Sequence, residues 1–205
     1  MIDNLITRYP ALSDIKEQLI KTVDMMEDTY KKGGKILICG NGGSCADCEH
    51  IVGELMKGFM SRRKLKQQDV NLFDGIVDNP TEFAQSLQNA IPAISLPSQT
   101  AIISAFANDV NPDMVYAQMT FGYGRENDLI ICISTSGNSK NIVNAAVAAK
   151  ARKVKTVALT GANNSKLSEI CDITIKAPAT ETYMVQEYHL PIYHYLCAEL
   201  ENRLF

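Results

Sequence analysis

Apolar positions along the chain follow two alternating patterns. Short runs rich in Ile, Val and Leu lie at 35–39, 92–96, 128–134, 154–160 and 172–176. They are continuous rather than alternating, as expected of parallel strands buried on both faces. Between them, apolar residues recur three and four apart, which predicts helices at 44–58, 99–107, 138–152, 165–170 and 182–204. A preceding helix is predicted over 13–32, within an N-terminal helical region of about 11–33. There Ile15, Leu19, Val23, Met26 and Tyr30 share a face, and Gly33-Gly34 supplies the stop. The alternation predicts an α/β protein: one domain over 1–205, built on an open, doubly wound parallel sheet of five strands flanked by helices.

Residues 59–91 interrupt this pattern. A structureless connection of that length is uncommon in a compact domain and points to a lid, an interface element or disorder. A helix over 81–91 is the one element predicted inside it, capped by Asn79 or Thr81 and with Phe83, Leu87 and Ile91 on one face. The basic run Arg62, Arg63, Lys64 and Lys66 reads as a solvated loop.

Composition narrows the function classes. With 46% hydrophobic and 21% charged residues, the chain has the make-up of an ordinary globular enzyme. A net charge of −3 argues against a basic nucleic-acid surface. No apolar run approaches the roughly 18 residues that span a bilayer. The opening MIDNLITRYPALSD has neither the charged start nor the apolar stretch of a secretion signal, so a cytoplasmic location is expected. Of the six cysteines, Cys39 and Cys132 fall in strands and behave as small hydrophobes. Cys45-x-x-Cys48 followed by His50 invites a zinc or redox role, but the isolated Cys171 and Cys197 give it no second ligand pair.

Three polar loops fall at the carboxyl ends of strands, where open parallel sheets collect ligands. The first, Gly40 to Ser44, places glycines between a strand and a helix, letting backbone N–H groups approach an anion. The second, Ser134-Thr135-Ser136-Gly137-Asn138-Ser139, offers four hydroxyls at the start of a helix. It suits phosphate oxygens and equally suits a helix cap. For the third, Thr160 to Ser165, capping is favoured. His50 and Glu54 lie four apart on one helix face, just after the glycine loop. The other two histidines, His189 and His194, sit in QEYHLPIYH on the terminal helix, where Pro191 can distort the geometry. Spacing alone pairs His194 better with Glu187 than with Gln186, and leaves open which side chains point inward.

Taken in order, GNGGS, His50 with Glu54, Ala107-Asn108-Asp109, STSGNS, and Gln186-Glu187 with His189 and His194 resemble the sugar isomerase (SIS) family. The likeness is to its phosphoheptose isomerase branch, which interconverts sedoheptulose 7-phosphate and a heptose 7-phosphate. It covers most of 1–58 and 92–205, with four motifs in order when His50 and Glu54 are counted with GNGGS. The resemblance implies that Asn41, Gly42, Gly43 and Ser44, with Asn108, Asp109 and Gln186, hold the sugar, and that Ser134, Thr135, Ser136 and Ser139 hold the phosphate. It implies a divalent metal, zinc, on His50, Glu54, Gln186 and His194, and a homotetramer with sites shared between subunits. Moving a proton between adjacent carbons needs a base, a donor to oxygen and positive charge near the oxyanion. Glu54 is the expected base, His194 its acid partner and Asp109 the reserve, although a carboxylate on zinc is less free to act as a base. Two departures stand out: the insertion at 59–91, and the Cys45/Cys48 pair where small residues are common.

Two alternatives stay open. A non-catalytic scaffold branch of the same family, which binds a replication initiator, is similar in Val115-Tyr116-Ala117 and in the ending from Leu196 to Phe205. Retention of His194 and Ser136 favours the enzyme. The other alternative is an isomerase or sensor for a different phosphosugar. A dinucleotide oxidoreductase is disfavoured, since GNGGS lacks the G-x-G-x-x-G spacing.

Overall fold

The computed structural model describes residues 1–205. Five strands, β1 (Ile36–Gly40), β2 (Ala93–Ser95), β3 (Leu129–Ile133), β4 (Lys155–Thr160) and β5 (Ile173–Lys176), form one parallel sheet in the order β2-β1-β3-β4-β5. Each strand matches a predicted one. β2 stops early because Leu96–Ser98 turns into a 3₁₀ helix at Pro97, which has no N–H for a ladder.

Ten α-helices accompany the sheet: α1 (Ile2–Arg8), α2 (Lys16–Lys31), α3 (Gly43–Met56), α4 (Gln67–Val70), α5 (Pro80–Gln85), α6 (Thr100–Asp109), α7 (Val115–Tyr123), α8 (Lys140–Ala151), α9 (Lys166–Ile170) and α10 (Thr182–Leu204). Strand side chains alternate between two cores. Ile36, Ile38, Ile131 and Leu159 pack with α2, α3 and α10 on one face. Leu37, Cys39, Ile130 and Cys132 pack with α7, α8 and α9 on the other. Coverage on both faces accounts for the unbroken apolar runs.

The sheet order fixes where a ligand can sit. β1 and β3 are neighbours, with β2 outside β1 and β4 outside β3, so the strand order reverses between them. Gly40 is level with Ile133 across that pair, so the loops leaving both strands emerge side by side at the switch point.

Four expectations are corrected. The N-terminal region is not one helix: Pro10 opens a 3₁₀ segment, Pro10–Ile15, between α1 and α2. α7 is not predicted, because it buries Val115, Tyr116, Ala117, Met119 and Thr120 on one side yet carries Phe121 and Tyr123 among its exposed positions, which blurs the amphipathic period in the sequence. The helix predicted at 81–91 ends at Gln85; Asn79 does cap it, accepting from Glu82 N–H at 3.1 Å, but Phe83 and Leu87 are exposed and only Ile91 reaches the core. Finally, Arg63 is not solvated. Its side chain is 0% exposed and bonded to Glu201.

The excursion 59–91 is therefore ordered rather than a bare loop. An antiparallel bridge, Lys64 to Gln88, closes its base, and Asn89 N–H donates to the Arg63 carbonyl at 2.7 Å. α4, a 3₁₀ turn and α5 fill it.

Candidate active site

Both loops at the switch point have backbone shapes that demand glycine. Gly42 caps α3 with φ 56° and ψ −120°, and Gly137 has φ 65°. A Cβ on Gly137 would overlap the Ser165 side chain, so the β3 loop lies flat against the α9 cap. That cap is the capping box between Ser165 and Ser168, which agrees with the capping role favoured for the third loop.

The two loops are stitched together. Asn41 and Asn141 exchange side-chain amide hydrogen bonds, each 2.9 Å, linking the β1 loop to the first turn of α8. Ser134 and Ser139 hydroxyls are 3.1 Å apart. Ser134 is buried, Thr135 and Ser139 are half-buried and Ser136 is exposed, so the hydroxyls line a graded approach to the α8 N-terminus. The first-turn N–H groups of a helix lack intrahelical carbonyls and carry partial positive charge, which suits a phosphoryl group. Ser44 is buried below the β1 loop, its carbonyl accepting from the Cys48 thiol.

α3 and α10 lie side by side and run in the same direction, as three successive contacts show. At the first, a Cβ on Gly43 would come 2.6 Å from Gln186 Nε2, so the absence of a side chain there seats the Gln186 amide. At the second, His50 faces both Tyr193 and His194: its Nδ1 is 2.9 Å from the Tyr193 hydroxyl, and its ring centre is 5.1 Å from that of His194. Tyr193 also donates to Asp47 Oδ1 at 3.4 Å. At the third, Glu201 accepts from the N–H groups of Phe59, Met60 and Ser61, at 2.8, 2.6 and 3.1 Å.

Around the second contact the predicted catalytic groups gather. His50 Nε2 is 3.4 Å from Glu54 Oε1, and Lys57 Nζ is 2.8 Å from Glu54 Oε2. Phe59, the first residue of the excursion, packs its ring 5.6 Å from that of His194. Burial, then the neighbouring His50, hold His194 below the ordinary imidazole pKa of 6.5. Both effects favour the neutral form of the imidazole. His189, by contrast, is a core residue: it is fully buried, and its Nε2 meets the Thr160 carbonyl at 3.3 Å. Glu187 is exposed.

Beneath the group, Arg63 Nη1 and Nη2 donate to the carbonyls of Leu55 and Glu54 at 2.6 and 3.0 Å, satisfying the end of α3. Burial raises the Glu201 pKa, but bonds from Phe59 N–H, Arg63 and Met60 N–H outweigh it and leave the carboxyl below its usual range.

The donor set suits zinc in kind: two imidazoles, a carboxylate and an amide oxygen. In a tetrahedron with bonds near 2.1 Å, neighbouring ligands stand about 3.4 Å apart. The His50–Glu54 edge has that length. No three His, Cys, Asp or Glu side chains are arranged around a common point, so His194 and Gln186 would have to turn toward this edge. Asn108 and Asp109, at the end of α6, hydrogen-bond to each other at 2.7 Å and to none of these groups.

Sequence reasoning missed Asp47, Lys57, Tyr193 and the Arg63–Glu201 pair. Asp47 was findable, three residues before His50 on the same helix face. Lys57 was findable too, three residues after Glu54; Tyr193 and the Arg63–Glu201 pair come from packing between segments distant in sequence.

Comparison with known proteins identifies the family. Two SIS domain profiles match, one over residues 99–196 and the other over 7–91. The phosphoheptose isomerase of Rhodospirillum rubrum is 30% identical over 196 residues, 96% of this chain and 91% of that protein. That of Aneurinibacillus thermoaerophilus is 34% identical over 193 residues, covering 92% and 85%. Among solved structures, phosphoheptose isomerase GmhA from Neisseria gonorrhoeae matches with a TM-score of 0.77 and 27% identity, over 98% of this chain and 94% of that one.

Proposed function

The chain belongs to the SIS domain family, in its phosphoheptose isomerase branch, and from that premise we propose that it interconverts sedoheptulose 7-phosphate and a heptose 7-phosphate. One juxtaposition supports the proposal: the hydroxyl loop heading α8 sits beside the glycine loop heading α3, and α3 carries His50 and Glu54 against His194 of α10.

In this scheme Ser134, Thr135, Ser136 and Ser139 grip the phosphate at the α8 N-terminus. Asn41, Gly42, Gly43 and Gln186 hold the sugar hydroxyls, with Asn108 and Asp109 supplied from α6. Glu54 removes the proton from the carbon beside the carbonyl and returns it to the neighbouring carbon. His194 donates a hydrogen bond to the oxygen on which negative charge develops, and a neutral imidazole does so without the cost of burying a cation. A zinc ion on His50, Glu54, Gln186 and His194 would supply Lewis-acid stabilisation of that oxygen.

We also assign a cytoplasmic homotetramer. α6 (TAIISAFAND) packs Ile102, Ile103, Phe106 and Ala107 on the core but leaves all four only half-buried within the single chain, which suits further cover by another subunit. No helix is long and apolar enough to cross a membrane.

The test is turnover. Sedoheptulose 7-phosphate incubated with the protein should give new anomeric NMR signals of an aldose. Turnover of a five- or six-carbon sugar phosphate instead would move the substrate. No turnover with any of them, together with tight binding to a replication initiator, would overturn the enzyme in favour of the scaffold.

A further inference from the structure

We infer that Tyr193 and Asp47 are positioning residues that fix the tautomer of His50, so that its Nε2 lone pair, and not an N–H, is presented beside Glu54. The chain of contacts is short. Asp47 Oδ1 is 3.4 Å from the Tyr193 hydroxyl, which is 2.9 Å from His50 Nδ1, while His50 Nε2 is 3.4 Å from Glu54 Oε1.

The proton bookkeeping decides the direction. An ionised carboxylate only accepts hydrogen bonds, and a tyrosine hydroxyl has a single proton to give. Asp47 Oδ2 is buried with no partner, so Tyr193 is the one side chain donating to this carboxylate. Diverting that proton to His50 would leave both Asp47 oxygens without a donor, the costly arrangement for a desolvated anion. Tyr193 therefore donates to Asp47 and accepts from His50 Nδ1–H. With its one proton on Nδ1, the neutral ring turns a bare Nε2 toward the Glu54 carboxylate.

Two electron-rich atoms facing each other at 3.4 Å attract a cation between them. The relay thus builds one edge of a cation-binding site before any ion arrives, with the carboxylate acting through the phenol as a second layer behind the imidazole. The competing form, in which Nε2–H donates to Glu54, would serve a carboxylate that already accepts from Lys57 Nζ at 2.8 Å, while the Nδ1–H form leaves Tyr193 as the one donor to Asp47. The tautomer's consequence for metal binding rests on the role proposed above for His50.

The measurement is long-range ¹H–¹⁵N NMR of the metal-free protein at about pH 8.5, above the imidazole range. Wild type should show His50 as the Nδ1–H form. In Tyr193→Phe, which keeps the ring, Nδ1 loses its acceptor and the Nε2–H form should dominate. In Asp47→Ala, Tyr193 is freed to donate to Nδ1, and the Nε2–H form should again dominate. An Nε2–H wild type, or an Nδ1–H signature unchanged in both variants, overturns the inference. As a second readout, competition with a chromophoric chelator should show zinc affinity reduced about 10- to 100-fold in Tyr193→Phe. Equal zinc affinity in wild type and variant would overturn the link to metal binding. A protein that binds no zinc, yet shows the tautomer change, would overturn the metal proposal and leave the relay standing.

Discussion

Arg63 Nε lies 2.6 Å from Glu201 Oε1, and the two side chains are 0% and 2% exposed. The pair sits where the chain leaves α3 and enters the excursion, and it ties three pieces together. Arg63 holds the last carbonyls of α3, and Glu201 holds the turn from Phe59 to Ser61 against α10. Phe59 in that turn packs on His194, so a structural ion pair stands directly behind the proposed acid.

Removing one partner strands a buried charge, so Arg63→Leu or Glu201→Leu should each destabilise the fold by about 3–5 kcal/mol. The double variant should lose clearly less than the sum of the two. Urea denaturation of the four proteins in the cycle measures the coupling; additive losses would contradict the pairing.

Ser134→Ala should raise KM for the sugar phosphate with little change in kcat. A lost hydrogen bond to a charged group is worth about 1.5–3 kcal/mol, or about 10- to 100-fold in kcat/KM. Inorganic phosphate should weaken as an inhibitor in parallel, which separates phosphate binding from a general defect.

Gly43→Ala places a methyl group against the mobile end of Gln186. The amide can swing away, so Tm should change little while KM rises. Gly137→Ala meets both a positive φ and the packed Ser165, and should lower Tm markedly. Calorimetry beside kinetics distinguishes the two.

Glu54→Gln and His194→Ala should each lower kcat by about 10²- to 10⁴-fold with KM changed only a few-fold. Protein purified without chelator should carry zinc by elemental analysis, and His50→Ala should lose it. A metal-free wild type that still turns over would remove zinc from the scheme.

Burial lowers the His189 pKa to about 4, against an ordinary 6.5. Between those values the unfolded chain binds a proton that the native ring refuses. Stability should therefore fall as pH drops from 6.5 toward 4, by up to about 3 kcal/mol from this residue. His189→Phe should flatten that part of the stability–pH curve relative to wild type.

The sheet was legible because its strands are covered on both faces: LIICI at β3 has no polar position to obscure it. The site loops were legible as strand-to-helix turns, since Gly42, Gly137 and the serines mark such turns, although hydroxyls in the same setting serve only as a cap at Ser165. What escaped was set by packing. α7 exposes Phe121 and Tyr123 beside Gln118, so its sequence gives no clear period to read. Arg63 is indistinguishable in sequence from its solvated neighbours Arg62 and Lys64, because its partner is far away at Glu201. The match of Gln186 rather than Glu187 to the glycine loop depends on where α10 meets α3, and no spacing within α10 encodes that.

The bridge between Lys64 and Gln88 also bears on how the chain tolerates change. α4, the 3₁₀ turn and α5 pack chiefly on one another, and their two roots are pinned next to each other beyond it. Growth, shrinkage or wholesale replacement of the outer segment leaves the distance between those roots untouched. This makes Leu65 to Leu87 a natural graft point, where a foreign peptide or an affinity handle can be carried without disturbing the helices underneath.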